Sequence, residues 1–366
     1  MRKVRSILLA TDFRTASQHA AQATLRLAEV FGSHVTLLHV MHPRESLPSL
    51  AQLYREKVTD ELRKLSQTFS NKQILVDESA ITVGQPADMI VRKAGEVDAD
   101  LIVIGAGEVS GEHCHMAPVA AAVVQHAASP VLTVRPGDTP ATFRKILCPV
   151  DMSETAARGL ANAIMLAGAF SGHIIVLSVV PALTWLTVFS EAGHLQEAAA
   201  AHEREWREEF DQFLTMCGFG NVSWEKELRK GAAHSEIIAS ARSHQADLII
   251  MGSTGRTGLD RILMGSVTRR VVQELPCSLL TVKRQNVVEV SSDDELHAIN
   301  VLYHQAQELL AAGSYEAALE RFSHVLVRDP LHIGALEGKA EAHERLGHTE
   351  DAKMCRHRVN QLRSER

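Results

Sequence analysis

Residues 246–255 read ADLIIMGSTG, and this stretch decides the fold class of the chain. Its first half is a short apolar run typical of a buried parallel strand, and residues 267–275 farther along have helical spacing. A strand, a glycine-containing loop and a helix start therefore follow one another. Glycines in such a loop let backbone N–H groups approach an anion, and a helix N-terminus adds unpaired donors. The stretch predicts a phosphate-binding loop on an α/β sheet.

The strand that opens this pattern occurs twice, as ILLATD at 7–12 and as ILCPVD at 146–151. Each copy then alternates helices with strands, and the copies end on similar strands at 129–134 and 277–282. Such alternation demands parallel pairing with helical crossovers. We predict two doubly wound, five-stranded parallel-sheet domains with strand order 3-2-1-4-5, at residues 1–136 and 143–284. In that order the first and fourth strands flank the crevice in which ligands bind.

A different architecture begins after a polar linker. Residues 299–366 divide into two units of 34 residues, the tetratricopeptide period. The aligned pairs are Ala306 with Ala340, Gly313 with Gly347, and Ala318 with Ala352. The second unit departs from the pattern, because Arg356 stands where an aromatic residue is expected. We predict an all-α repeat tail at 295–366 that packs on a neighbour, since two such units rarely bury enough apolar surface alone.

Composition excludes several classes of function. The 366 residues are 45% hydrophobic and 22% charged, with a formal net charge of −6, so nothing electrostatic favours a nucleic-acid partner. No apolar run is long enough to predict a membrane span. Five scattered cysteines without a C-x-x-C pair predict a reducing, cytoplasmic location. The cluster His113, Cys114 and His115 leaves two interpretations open, a metal site or a solvated loop.

The two copies resemble universal stress protein domains, and the tail resembles tetratricopeptide (TPR) repeats. The family's ATP-binding motif, G-x2-G-x9-G-[ST], is matched by Gly252, Gly255, Gly265 and Ser266. The resemblance implies adenine nucleotide alpha hydrolase-like domains that bind ATP, with ADP, AMP and an accompanying Mg²⁺ left open. It also implies that residues after the first two strands hold the nucleoside. The candidate binding residues are Pro149, Val150, Asp151, Val179, Met251, Gly252, Gly255, Arg256, Gly265, Ser266 and Val267.

The first copy departs from this motif. Glu108 stands at the second glycine and would repel phosphate, and Ala117-Pro118 stand where the second copy has Gly265-Ser266. Proline at a helix start is structurally favourable, but it removes both an N–H and the hydroxyl. We therefore predict one nucleotide site per chain.

The interpretation favoured by these features is a nucleotide-dependent sensor or regulator whose tail binds a protein. We do not expect an enzyme, or at most weak ATP hydrolysis, because the sequence has no G-x4-G-K-[ST] motif and no evident catalytic base. A slow ATP hydrolase or adenylyl-transfer enzyme on the same scaffold is one alternative. An adaptor in which the nucleotide is structural is another. We expect the last strands of the two copies to pair internally, which leaves a homodimer of whole chains open.

Overall fold

The computed structural model describes residues 4–42, 48–107, 109–110, 113–114, 116–137, 143–181, 192–253, 264–283, 293–328 and 332–364. The first repeat contains β1 (Ser6–Ala10), α1 (Thr15–Phe31), β2 (His34–Met41), α2 (Pro48–Ser70), β3 (Val76–Val83), α3 (Pro86–Glu96), β4 (Leu101–Gly105), β5 (Val109–Ser110), β6 (His113–Cys114), α4 (Pro118–His126) and β7 (Val131–Val134). The second contains β8 (Lys145–Pro149), α5 (Glu154–Phe170), β9 (His173–Pro181), α6 (Ala192–Thr215), β10 (Ser223–Gly231), α7 (Ala233–Ser243), β11 (Leu248–Gly252), α8 (Ser266–Glu274) and β12 (Ser278–Val282). The tail contains α9 (Asp293–Ala311), α10 (Tyr315–Arg328), α11 (Ile333–Arg345) and α12 (Thr349–Ser364).

The long strands form one sheet in the order β10-β9-β8-β11-β12-β7-β4-β1-β2-β3. Each half has the predicted order 3-2-1-4-5, which confirms the doubly wound α/β fold. The last strands of the two copies pair as expected: β7 and β12 are antiparallel neighbours, and they join the two five-stranded halves into one ten-stranded mixed sheet. Each of these strands would otherwise present an edge with unpaired N–H and C=O groups. Leu132 lies opposite Leu280 across the join.

The central strands are apolar on both faces because helices cover the sheet on both sides. Ile7, Leu8 and Leu9 in β1 are fully buried, as are Ile146 and Leu147 in β8. Among the described residues, no helix combines the length and apolarity that crossing a bilayer requires.

In each half, an aspartate at the equivalent position just before the fourth strand fixes the start of the first strand. Asp100 accepts hydrogen bonds from the N–H groups of Arg5 and Ser6, at 2.8 and 3.0 Å. Asp247 accepts from the N–H groups of Arg144 and Lys145, at 3.0 and 2.9 Å. These charge-assisted bonds tie the segment before the fourth strand to the start of the first, and they set the position of the two strands that flank the crevice.

The helical tail has a small core of its own and lies against the second repeat. Phe322 is fully buried in that core, and its ring packs on Gly338, where an added Cβ would lie 2.2 Å from the ring Cζ. The ammonium of buried Lys339 donates to the carbonyl oxygen of Thr215 at 3.2 Å, at the C-terminal end of α6, where a cation is favoured. The second repeat thus supplies the neighbour that a two-unit tail needs.

The described cysteines are expected to be unreactive in the folded protein. Cys148, Cys277 and Cys355 are buried, and burial raises the pKa of the Cys217 thiol to about 12. A buried or protonated thiol is a poor nucleophile. The side chain of the fifth cysteine, Cys114, lies outside the described part of the structure. At neutral pH we therefore expect at most one of the five cysteines to react quickly with a thiol reagent, and all five to react in denaturant. Rapid native modification of two or more would contradict this assignment.

Candidate functional site

The crevice of the second repeat opens where β8 and β11 separate. These strands pair through Ile146 with Leu248 and Leu147 with Ile249, whereas the equivalent strands β1 and β4 pair through four residues, as far as Ala10. Pro149 stands at the position of Ala10 and has no N–H to donate to a neighbouring strand. The first and fourth strands are therefore paired over fewer residues near their carboxyl ends in the second repeat than in the first.

The nucleoside side of the candidate site consists of the turn after β8 and the end of β9. Val150 and Val179 are buried, and the Val150 N–H donates to the carbonyl oxygen of Leu177 at 2.8 Å. The Asp151 carboxylate accepts from the backbone N–H of Ser153 at 3.1 Å and from the Ser153 hydroxyl. Met152 between them has φ of 60°, in the left-handed region. Asp151 therefore holds an Asx-type turn in addition to any role toward a ligand.

This turn is shared by the first repeat. The Asp12 carboxylate accepts from the N–H of Arg14 at 3.0 Å and from the Ser17 hydroxyl at 2.7 Å, with Phe13 at φ of 63°. Its occurrence in both repeats shows that an aspartate after the first strand has a structural task. The sequence interpretation of Asp151 as a nucleoside ligand did not include it.

The phosphate side is formed by the end of β11 and the start of α8. The N–H of Ser253 donates to the carbonyl oxygen of Val282 at 2.8 Å, and the N–H of Gly265 donates to the carbonyl oxygen of Ser253 at 2.6 Å. These bonds hold the N-terminus of α8 beside Gly252. Gly265 is the N-cap of α8 and provides no side-chain cap, so the first-turn N–H groups have no side-chain acceptor from that position. Uncapped donors at a helix N-terminus form an anion-binding site.

Thr268 contacts the candidate site, and the sequence interpretation missed it. It is buried, and its hydroxyl donates to the carbonyl oxygen of Gly252 at 3.0 Å. The bond fixes the first turn of α8 against the end of β11. Aligning the repeats would have found it, because Ala120 stands at this position in the first copy and has no hydroxyl.

The first repeat has the same backbone pattern, but Pro118 lacks the N–H and the hydroxyl that Ser266 supplies in the second. The N–H of Ala106 donates to the carbonyl oxygen of Val134 at 2.8 Å, and the N–H of Ala117 donates to the carbonyl oxygen of Ala106 at 2.6 Å. Ala117 and Pro118 therefore hold the positions of Gly265 and Ser266. Pro118 is the first residue of α4 and has no N–H for an anion.

Most of the predicted site residues lie together at one edge of the sheet. The carboxyl ends of β8, β9 and β11 and the start of α8 carry Pro149, Val150, Asp151, Val179, Met251, Gly252, Gly265, Ser266 and Val267. Gly255 and Arg256 lie outside the described residues, as does Glu108 of the first copy. His113 and Cys114 form β6, but their side chains and the whole of His115 are outside the described part. Their candidate metal site stays a prediction.

Comparisons with known proteins agree with this architecture. The sequence profile of the universal stress protein family matches residues 3–135 and 142–283. A universal stress protein of Methanocaldococcus jannaschii is 32% identical over 142 residues, which cover 39% of this chain and 83% of that protein. A second one from the same organism is 30% identical over 158 residues, covering 39% of this chain and 97% of that protein.

Solved structures show the same fold over both repeats. A universal stress protein from Archaeoglobus fulgidus DSM 4304 is 19% identical, covers 77% of this chain and 100% of its own, and superposes with a TM-score of 0.58. The similarity to that structure covers more of this chain than that to either of the two Methanocaldococcus proteins does. With the family profile matched on each half of the sheet, the chain belongs to the universal stress protein family.

Proposed function

We propose that this protein binds one ATP in its second repeat and acts as a nucleotide-dependent regulator whose tail contacts a protein partner. The observation that carries the proposal is the uncapped N-terminus of α8. It lies beside Gly252 at the opening between β8 and β11, and the first repeat has Ala117-Pro118 in its place. An anion with several phosphate oxygens suits such a set of backbone donors.

Each part of the site has a chemistry that suits one part of the nucleotide. The first-turn N–H groups of α8 and the exposed Ser266 hydroxyl are donors for phosphate oxygens. The buried side chains of Val150 and Val179 offer apolar surface to the base. Asp151 offers carboxylate oxygen to ribose hydroxyls or to the adenine amino group. This division of tasks supports an adenine nucleotide over inorganic phosphate alone.

The tail lies close enough to the site for its position to depend on the nucleotide. A cavity of about 450 Å³ between the second repeat and the tail is lined by Met152, the residue next to Asp151. Leu336 of α11 and Met354 of α12 line the same cavity. A ligand that moves the Asp151 turn would therefore change the surface on which the tail rests. Regulation requires ATP to bind one arrangement of this contact more tightly than another.

The output of the site, in this proposal, is binding and not turnover. The Asp151 carboxylate already accepts two hydrogen bonds from Ser153, which favours a positioning role over that of a catalytic base. A cytoplasmic location accords with the described cysteines being free thiols. The TPR-like tail is the segment proposed to bind the protein partner, and a homodimer of whole chains is compatible with the internal β7–β12 pairing.

Stoichiometry tests the proposal. We expect native mass spectrometry of the purified full chain to show one adenine nucleotide per chain. Neither helix start has a side-chain cap, but only the second repeat has the N–H and hydroxyl of Ser266, where the first has Pro118. Ligand released from the protein identifies ATP, ADP or AMP. Two equivalent sites, or none at millimolar nucleotide, would refute the assignment. Steady ATP hydrolysis that Asp151→Asn abolishes without unfolding would favour the enzyme alternative instead.

A further inference from the structure

Three potential metal ligands converge in the tail, far along the chain from the nucleotide site. His343 lies in the last turn of α11, His348 in the turn that follows, and Asp351 in the first turn of α12. His343 Nδ1 is 3.5 Å from His348 Nδ1 and 3.8 Å from Asp351 Oδ2. One ligand atom from each residue lies within 4.8 Å of the other two. Two atoms bound tetrahedrally to one Zn²⁺ at its usual bond lengths are about 3.3–3.5 Å apart, so small side-chain movements would complete the geometry.

The backbone of the turn holds these side chains side by side. Gly347 has φ of 79°, and the N–H of His348 donates to the carbonyl oxygen of His343 at 2.8 Å. This is the long hydrogen bond of a Schellman motif, in which the residues at its two ends bring their side chains into contact. The N–H of Ala352 then donates to the carbonyl oxygen of His348 at 3.1 Å and begins α12. No backbone rearrangement is needed to present the two imidazoles together.

The first helical unit has the same turn without the ligands. Gly313 has φ of 76°, and the N–H of Ser314 donates to the carbonyl oxygen of Leu309 at 2.9 Å. The 34-residue repeat places Leu309, Ser314 and Ala317 at the positions of His343, His348 and Asp351. An apolar contact is usual between the ends of such a turn. At these positions the second unit has three side chains that can bind a metal. Three of its differences from the first unit therefore lie together at one turn.

The cluster opens onto a cavity of about 400 Å³ at the junction between the tail and the second repeat. His343, His348 and Asp351 line this cavity together with Thr215 of α6. Lys339 also lines it, but its ammonium is held on the Thr215 carbonyl oxygen. The half-exposed Asp351 and the exposed His348 leave the cluster accessible from solvent. An ion bound by three protein atoms would have its remaining coordination positions toward the cavity.

We propose that His343, His348 and Asp351 form a binding site for a divalent transition metal of the zinc type. Two imidazole nitrogens and one carboxylate oxygen are a donor set that Zn²⁺ and its first-row neighbours bind well. The ion would clamp α11 to α12 at the face of the tail that meets α6. This site is independent of the nucleotide site and does not rest on the proposed function.

The test compares the full chain with variants in which each proposed ligand is replaced by the residue at the equivalent position of the first unit. We expect the chelator-treated protein to bind one Zn²⁺ at this cluster by calorimetry, and Co²⁺ to give the visible absorption of a site with nitrogen and oxygen ligands. Each of His343→Leu, His348→Ser and Asp351→Ala should weaken binding by at least about tenfold, the effect seen even for groups that only support a ligand. The triple variant should lose one ion per chain.

His304→Ala serves as the matched control, because this exposed histidine lies in α9 of the same tail, outside the cluster. It should leave metal affinity unchanged, and matching circular dichroism spectra establish that the variants fold. The measured quantity is the difference in ions bound per chain between the wild type and the triple variant. Ions bound elsewhere in the chain are present in both proteins and cancel in this difference. A triple variant that folds and binds as many ions as the wild type overturns the proposal, as does a wild-type chain that binds none.

Discussion

Gly265→Ala combined with Ser266→Pro is expected to reduce ATP affinity by about a hundredfold or more, because the pair reproduces Ala117-Pro118 of the first repeat. Proline removes the N–H of residue 266 and the serine hydroxyl in one step. Hydrogen bonds to charged groups contribute about 1.5–3 kcal/mol each, and about 1.4 kcal/mol corresponds to a tenfold change in affinity. Calorimetric titration of the purified variant with ATP measures the loss.

The fold should tolerate this double substitution. Gly265 has φ of −65° and ψ of 155°, which alanine adopts without strain, and proline is favoured at the first position of a helix. The unfolding midpoint is therefore expected to stay near that of the wild type. The reciprocal change in the first repeat, Ala117→Gly with Pro118→Ser, is the control and should leave one nucleotide per chain. Undiminished ATP affinity in a folded Gly265→Ala/Ser266→Pro protein would show that phosphate is bound elsewhere.

Phe322→Ala is expected to unfold the helical tail. The side chain is fully buried in a core that consists of few large residues, and removing a buried phenylalanine costs about 3–5 kcal/mol. A small helical unit has little stability beyond that. The measurement is the loss of helical circular dichroism together with a new, earlier transition in denaturant. Phe322→Leu keeps most of the apolar volume and should have a much smaller effect.

The same variant separates the regulator from the adaptor. If nucleotide binding and the position of the tail are coupled, loss of the tail must change ATP affinity by the same factor by which ATP changes the tail equilibrium. A purely structural nucleotide predicts unchanged ATP affinity with loss of partner capture. A Phe322→Ala protein with wild-type helix content and unfolding midpoint would contradict the assigned tail core.

Strand positions were predictable because the pattern that encodes them is local. The apolar run at 246–251 became β11, Leu248–Gly252, and the paired motifs at 7–12 and 146–151 became β1 and β8. The two-residue strands β5 and β6 were not predicted, because Val109–Ser110 and His113–Cys114 are too short to show periodicity. The joining of the two halves through their last strands was expected from the resemblance to universal stress proteins. The sequence could suggest that pairing, but only β7 and β12 in space decide its register.

For the candidate site, the glycines, hydroxyls and carboxylates could be identified from the sequence, as could the repeat that keeps the Gly265-Ser266 pair. This was possible because Gly252, Gly265 and Ser266 are related by spacing along the chain. Only the folded structure shows that β8 pairs with β11 no farther than Leu147 and that Thr268 bonds to Gly252. The convergence of His343, His348 and Asp351 is likewise visible only there. Those relations depend on distances between elements that the fold brings together, and residue spacing does not encode such distances.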